Sequence, residues 1–306
     1  MDFLLFPGAC VLCVFFFIRW YHGIGAAWTA GRRTLAKSVL ICLPLLAFAI
    51  ILYTLCTMAS FDVEGIYVIL YLTLGFAWLY MGMLFFTHFF DISWQYDVLL
   101  AGNKAALCAV AGAFLGMTLI YAGANVGDGP GWWCVIFAGG LGFTAWAVLG
   151  LLFNLFTGVF KRITVDRDFG CGFRFGCYLL AAGIILARAS AGDWTSFGAT
   201  VVEFADGWPV LPMTVIAVLI ERFAMYRTKE YLKIKRSYPR TTSCAFSTSA
   251  SIICGAALLV VAVSAVLLLP PTNVNNSYGR PRDDSPPFRF AFYNADVPAI
   301  DSDWRY

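Results

Sequence analysis

Polar residues are sparse along this chain and fall in short clusters, so the sequence divides into long apolar runs separated by charged or turn-forming gaps. A helix needs about 20 largely apolar residues to cross the hydrocarbon core of a bilayer. Eight runs are of that kind: Phe3–Ile18, Val39–Ala59, Ile66–Phe90, Ala105–Ala124, Trp132–Phe160, Phe173–Ala191, Trp208–Tyr226 and Ala245–Leu269. The first is the shortest and is closed by Arg19. A secretory signal carries its positive charge before the apolar run. Here the chain opens Met1-Asp2 and the charge follows, with Gly25-Ala26-Ala27 as the one tolerable cleavage site, so the segment is expected to be retained.

Composition turns this pattern into a class. Sixty per cent of the 306 residues are hydrophobic and 13% are charged, where soluble domains carry roughly 25% charged residues. With a mean hydropathy of +0.77, a soluble globule of this size would lack the interior to hide its apolar surface. A soluble enzyme, a disordered chain and a nucleic-acid-binding chain are all excluded. The expected fold is all-α: a polytopic integral membrane protein of about eight transmembrane helices, with the lipid bilayer as its first partner.

The net charge of +3 conceals an asymmetry. Sixteen of the 21 basic residues lie on alternate connections: Arg19 to Lys37, Lys104, Lys161 to Arg174, and Arg222 to Arg240. Four more lie in the tail, and Arg188 lies within an apolar run. The positive-inside rule then puts these connections in the cytoplasm and both termini outside it. Trp132, Trp133, Trp194 and Trp208 fall at the outer interface, and Trp20, Trp28 and Trp94 near the inner one, where amphipathic rings are favoured. The loop Tyr226–Cys244 is strongly basic and is expected to lie against anionic lipid headgroups. The stretch Pro270–Tyr306 reads as an extracytoplasmic, flexible tail, with a glycosylation sequon at Asn275-Asn276-Ser277.

The runs group into regions: three N-terminal helices over 1–102, a duplicated helix–loop–helix region over 103–226, the basic loop and last helix over 227–269, and the tail over 270–306. The duplication rests on a gapless self-match at an offset of 65 residues. Ala105–Asp128 and Gly170–Asp193 share Leu115/Leu180, Ile120/Ile185, Ala124/Ala189, Gly127/Gly192 and Asp128/Asp193. Both copies start at a basic end, finish in an outer Gly-Asp and precede a Trp-flanked return helix, so the repeat is parallel. Gly112 with Gly116, and Gly172 with Gly176, are spaced for close helix packing, as are Ser247, Ser251 and Gly255 on the last helix. These small-residue faces also suit a homo- or hetero-oligomer.

The stretches NKAALCAVAGAFLGMTLIYAGANVGDGPGWW and FGCGFRFGCYLLAAGIILARASAGDW resemble the two-helix unit of the YjfL-like proteins, an uncharacterised bacterial inner-membrane family. The resemblance covers about residues 103–226. It implies a bacterial inner membrane and carries over no catalytic or binding residue, since the family has no established activity. The three leading helices, the eighth helix and the tail depart from the short members of the family.

Little along the chain carries chemistry. The ten cysteines lie almost entirely in apolar runs, where a thiol behaves as a small hydrophobe, and no disulfide is expected. Cys10-x-x-Cys13 has no second pair or histidine to complete a metal site. No nucleophile elbow, zinc motif, phosphate loop or intramembrane carboxylate pair occurs, so no catalytic residue, metal or cofactor is assigned and an enzyme is not expected. A charge inside an apolar run does merit a functional reading. Arg188 is that charge, about one turn before Gly192-Asp193. The candidate binding site is Arg188 with Asp128, Asp193, Glu203 and Asp206, with Arg188 as an outer anion-binding or gating charge or as a snorkelling side chain paired to one of those acids. Pairing to Asp128, Glu203 or Asp206 is expected over pairing to Asp193 alone. Glu221 and Arg222 read as interfacial. The functional expectation is a transporter, channel-like or transport-associated protein, and the alternative is a non-catalytic accessory or scaffold protein acting through its basic loop and tail.

Overall fold

A computed structural model describes residues 2–27, 34–60, 63–194, 196–235 and 247–268. Those residues are almost entirely helical. The helices are α1 (Asp2–Ala26), α2 (Thr34–Thr57), α3 (Ile66–Phe89), α4 (Lys104–Ala124), α5 (Trp132–Thr157), α6 (Val159–Thr164), α7 (Phe169–Ala189), α8 (Phe197–Glu203), α9 (Val210–Lys235) and α10 (Thr248–Leu268). A π-helical turn, Trp94–Leu100, lies between α3 and α4. Eight helices among the described residues are long and apolar enough to span a membrane, at the eight places the hydropathy pattern predicts.

Boundaries differ in instructive ways. The first span runs on through Arg19 and His22 to Ala26, since long side chains near a helix end reach the interface without breaking the helix. The predicted run Trp132–Phe160 divides at Gly158, whose φ of 63° closes α5 in the left-handed conformation that glycine tolerates. Asn154 stitches the break: its carbonyl accepts the Gly158 N–H at 2.6 Å and its side-chain oxygen accepts the Phe160 N–H at 3.0 Å. The basic loop is helical at its start, because α9 continues to Lys235. The rest of that loop, Cys244 and the tail with its sequon lie outside the described residues.

Two helices form the centre. The most apolar windows of α4 and α7 are 78% and 72% buried, against 22–50% for the other spans. They pack in parallel and nearly in register. A Cβ on Gly112 would lie 2.0 Å from the Gly176 carbonyl oxygen, one on Gly176 2.3 Å from that of Cys108, and one on Gly123 2.1 Å from that of Ala187. Gly116 and Gly183 meet the same way. Lipid tails are as apolar as leucine, so helix association in a membrane rests on packing and hydrogen bonds. Glycine permits both, by removing the side chains that would hold the backbones apart. The stripe on α10 does the same at the other flank of α7, with Gly255 against Phe173 and Cys177. The small-residue faces of α4, α7 and α10 are thus turned on one another inside the chain.

Around this pair, buried polar groups find partners across helices. Tyr121 donates to the Tyr71 carbonyl at 2.5 Å, Trp146 to Leu179 at 2.9 Å and Trp20 to Leu40 at 2.8 Å. Threonines 54, 118 and 157 return their hydroxyls to carbonyls one turn back. Such bonds satisfy donors that the bilayer core leaves without water. The nine cysteines among the described residues are free thiols.

The glycine seam sets a measurable expectation. Gly112→Ala or Gly123→Ala forces backbone apart and is expected to cost about 1–3 kcal/mol, as overpacking does. Gly140→Ala, whose Cβ meets nothing within 4 Å, is expected to be neutral or slightly stabilising. Thermal unfolding of the detergent-solubilised chain compares them, and equal midpoints for Gly112→Ala and Gly140→Ala would show that the seam is not tight.

Candidate functional site

The two ends of the bundle have opposite character. At one end, the α2–α3, α4–α5 and α7–α8 connections meet. The Gly127 N–H bonds to Met58 O at 3.2 Å, and the Gly192 N–H to Val126 O at 3.0 Å. Gly127 has a φ of 106°, open to glycine and strained for other residues. The two Gly-Asp turns clasp each other: Asp193 Oδ1 accepts the Asp128 N–H at 2.7 Å, and the Trp194 N–H donates to Asp128 O at 2.7 Å. Trp133, Trp194, Phe137 and Phe197 cluster beside them, edge to face except for the tilted Trp133–Phe197 pair. A cleft of about 40 Å³ opens here, lined by Asp128, Asp193 and Glu203 with Asn125 and Ser190. It admits a water or a small ion and little more. The Ser190 hydroxyl on its wall is buried and has no hydrogen-bond partner among the described residues.

Arg188 lies close by, half-buried. Its Nη1 donates to the Ala265 carbonyl at 3.1 Å. Ala265 lies in the last described turn of α10, where carbonyls run out of intrahelical donors and the helix dipole favours a cation. Asp206 is near enough to act on the same charge. Of the five candidates, then, Asp128, Asp193 and Glu203 line one cleft, and Arg188 with Asp206 sits beside it, turned toward α10.

The other end is basic, and it holds the most concentrated polar chemistry of the described residues. Glu221 on α9 is 1% exposed, Arg174 on α7 is 3% exposed and Asp168 is 7% exposed. Arg174 grips Glu221 with two bonds, Nε to Oε2 at 2.7 Å and Nη2 to Oε1 at 2.9 Å. Its remaining arm donates to Ser251 of α10 at 2.6 Å. Arg162 on α6 reaches Glu221 Oε1 through Nη1 and Asp168 Oδ2 through Nη2, the latter at 2.6 Å. Asp168 also caps α7 by accepting the Cys171 N–H at 3.1 Å. Gly170 clears the space, since a Cβ there would sit 2.6 Å from the Ser251 hydroxyl. Burial pulls the Arg162 guanidinium down, but the negative groups around it outweigh this and hold it above its ordinary value. Two arginines and two carboxylates balance, so the cluster is neutral as a whole while no single charge in it is dispensable.

This corrects one sequence expectation. Glu221 is not an interfacial side chain but the hub of a buried network. Arg174, counted among the basic residues of that end, is its bidentate clamp. Arg162 and Arg174 are both cationic loop-side residues by sequence, and Glu221 lies 59 and 47 residues from them. The one usable signal was an acid and a serine, Glu221 and Ser251, standing on helices that start or finish at the basic end.

These features describe a multi-pass, all-helical membrane protein with an acidic cleft at one end and a closed ion-pair network at the other. Residues 60–190 match the model of a Domain of Unknown Function (DUF350), an uncharacterised domain family. No curated protein matches the chain, and no solved structure matches it. The matched stretch runs from the α2–α3 connection to the end of α7. It contains Asp128, Arg162, Asp168, Arg174 and Arg188, while Glu221 and Ser251 lie beyond it. The network therefore ties the matched helices to α9 and α10.

Removing one partner of a buried ion pair typically costs 3–5 kcal/mol, because the survivor is left uncompensated. Glu221→Ala is accordingly expected to destabilise by about that amount, and Arg174→Met with Glu221→Met together by less than the sum of the two single changes. Thermal unfolding in detergent gives the cycle. Strict additivity would mean that the two charges do not interact.

Proposed function

We propose that the chain is a transport-type or transport-associated protein of a bacterial inner membrane, akin to the YjfL-like proteins, with its basic end in the cytoplasm and both termini outside. It has no catalytic role in this reading. The observation that carries it is the Glu221 network. Ionisable groups within spanning helices are expensive, and their default reading is functional. Here two of them, Arg174 and Glu221, joined by Arg162 and Asp168 from the α6–α7 corner, lock α7, α9 and α10 together at the basic end, while the small acidic cleft lies at the far end of the same α7. An ion-pair lock at one end of α7 and a small acidic cleft at its other end give the asymmetry that alternating access requires, and Glu221 is the group whose release would reverse it. A duplication of the α4 and α7 units would fit this frame, its axis running along the membrane normal between the clasped Asp128 and Asp193 turns. The basic segment after Tyr226 would rest on anionic headgroups.

A second reading has its own support. The α4–α7 seam is sealed by backbone contact, so no path runs between those helices, as suits an accessory or scaffold protein. Reconstituted flux separates the two. Proteoliposomes of the full chain, loaded in turn for Na⁺, K⁺ and H⁺ movement, are expected to show flux that Glu221→Gln and Asp193→Asn both alter at least severalfold. Folded, reconstituted wild type that moves none of these ions above empty vesicles would favour the accessory reading.

A further inference from the structure

At the basic end, away from the Glu221 network, α1, α3 and the π-helical turn enclose a pocket of about 270 Å³. Its cationic group is Arg19, and His88, Thr87, Ser93 and Gln95 add polar side chains, with no carboxylate on its walls. Arg19 is exposed and makes no ion pair or hydrogen bond among the described residues. The floor is aromatic: Trp20 and Trp94 stack with centroids 4.4 Å apart. Trp20 is pinned by its bond to Leu40.

The π-helical turn that supplies Trp94 and Gln95 is held deliberately. Ser93 accepts the Tyr96 N–H, and Asp97 accepts the Ser93 N–H at 2.7 Å. The Asp97 carboxylate thus takes a backbone partner on its own turn. Gly23 lets the turn lie against α1, for a Cβ there would meet the Trp94 ring at 2.6 Å. Single-turn π elements are rare and concentrate at functional sites.

A second cavity adjoins this one. An apolar groove of about 430 Å³ runs between α3 and α5, along Trp78, Phe85, Phe89 and Phe143. Leu84 and His88 line both cavities. They stand four residues apart, on one face of α3. A cationic, hydrogen-bonding chamber and an aliphatic-aromatic channel therefore share one wall, at the level where interfacial tryptophans sit. Neither part alone specifies the occupant, but together they fit an amphiphile with an anionic head.

We propose that this composite site binds one anionic phospholipid, its phosphate at Arg19 and His88 and an acyl chain in the α3–α5 groove. Basic pockets between spanning helices are the usual receivers of such headgroups. The 270 Å³ chamber holds about nine waters' volume, room for a headgroup. The site stands apart from the transport reading above and does not depend on it.

The test is native mass spectrometry of the delipidated full chain in detergent, titrated with phosphatidylglycerol, with phosphatidylcholine and with glycerol phosphate. Phosphatidylglycerol is expected to bind in preference to phosphatidylcholine, and glycerol phosphate not to displace it. Loss of a basic residue near the headgroup is worth about fivefold in affinity, so Arg19→Gln is expected to weaken phosphatidylglycerol by that factor. Arg222→Gln, an exposed basic residue on α9 outside the pocket, is expected to leave it unchanged. On wild-type protein, a photoreactive acyl-chain phosphatidylglycerol is expected to label α3 around Leu84. Equal loss in both variants, equal binding of phosphatidylcholine, displacement by glycerol phosphate, or labelling spread over all helices would each overturn the assignment.

Discussion

The backbone-to-backbone contact of α4 and α7 is the constraint from which the rest of the structure follows. Inside a bilayer there is no hydrophobic gain in bringing two helices together, so the gain must come from how closely they approach. Gly112, Gly116 and Gly123 on one side, and Gly172, Gly176 and Gly183 on the other, let carbonyl oxygens come to within reach of the facing Cα atoms. Once that seam is closed, the ends of the two helices are fixed relative to each other. The Asp128 and Asp193 turns are then near enough to exchange hydrogen bonds. At the opposite end, Asn103 caps α4 and donates to Ile163 at 2.6 Å, bringing α6 and Arg162 into place.

The buried network depends on that placement. Arg174 sits one turn into α7 and Arg162 sits on the short helix before it, and only a fixed α6–α7 corner brings both guanidiniums to one carboxylate. The corner itself is costly, with Arg167 at a φ of 52°, a conformation that non-glycine residues adopt only when the surroundings impose it. A neutral cluster of four charges contributes little net stability compared with an apolar core of the same volume. It stands at the joint between the family-matched helices and the last two spans, where the loss of any one charge leaves the others uncompensated.

The architecture was legible in the sequence, and the site was legible only in part. Run length and charge placement locate eight spans because the bilayer imposes a length and excludes polar groups. The glycine spacing reveals the seam because four residues make about one turn. The Gly-Asp turns at Asp128 and Asp193 stand 65 residues apart in the sequence, and the fold brings them into one clasp. Glu221, Arg162 and Arg174 were not legible. A charge close to a helix end reads as interfacial whether it faces water or the bundle, and the three are joined only through tertiary packing. The π-helical turn escaped for a related reason: WQYDVLL is too short to read as an element and is set by its Ser93–Asp97 cap. The break at Gly158 escaped because the apolar run continues straight through it.

The central claim is that α4 and α7 touch through their backbones along their length. Magic-angle-spinning NMR of the carbon-labelled chain in lipid bilayers addresses it directly. Through-space correlations between Gly112 and Gly176, and between Gly123 and Ala187, are predicted to be among the strongest inter-helical signals. Their absence, with both helices assigned and helical, would contradict the account.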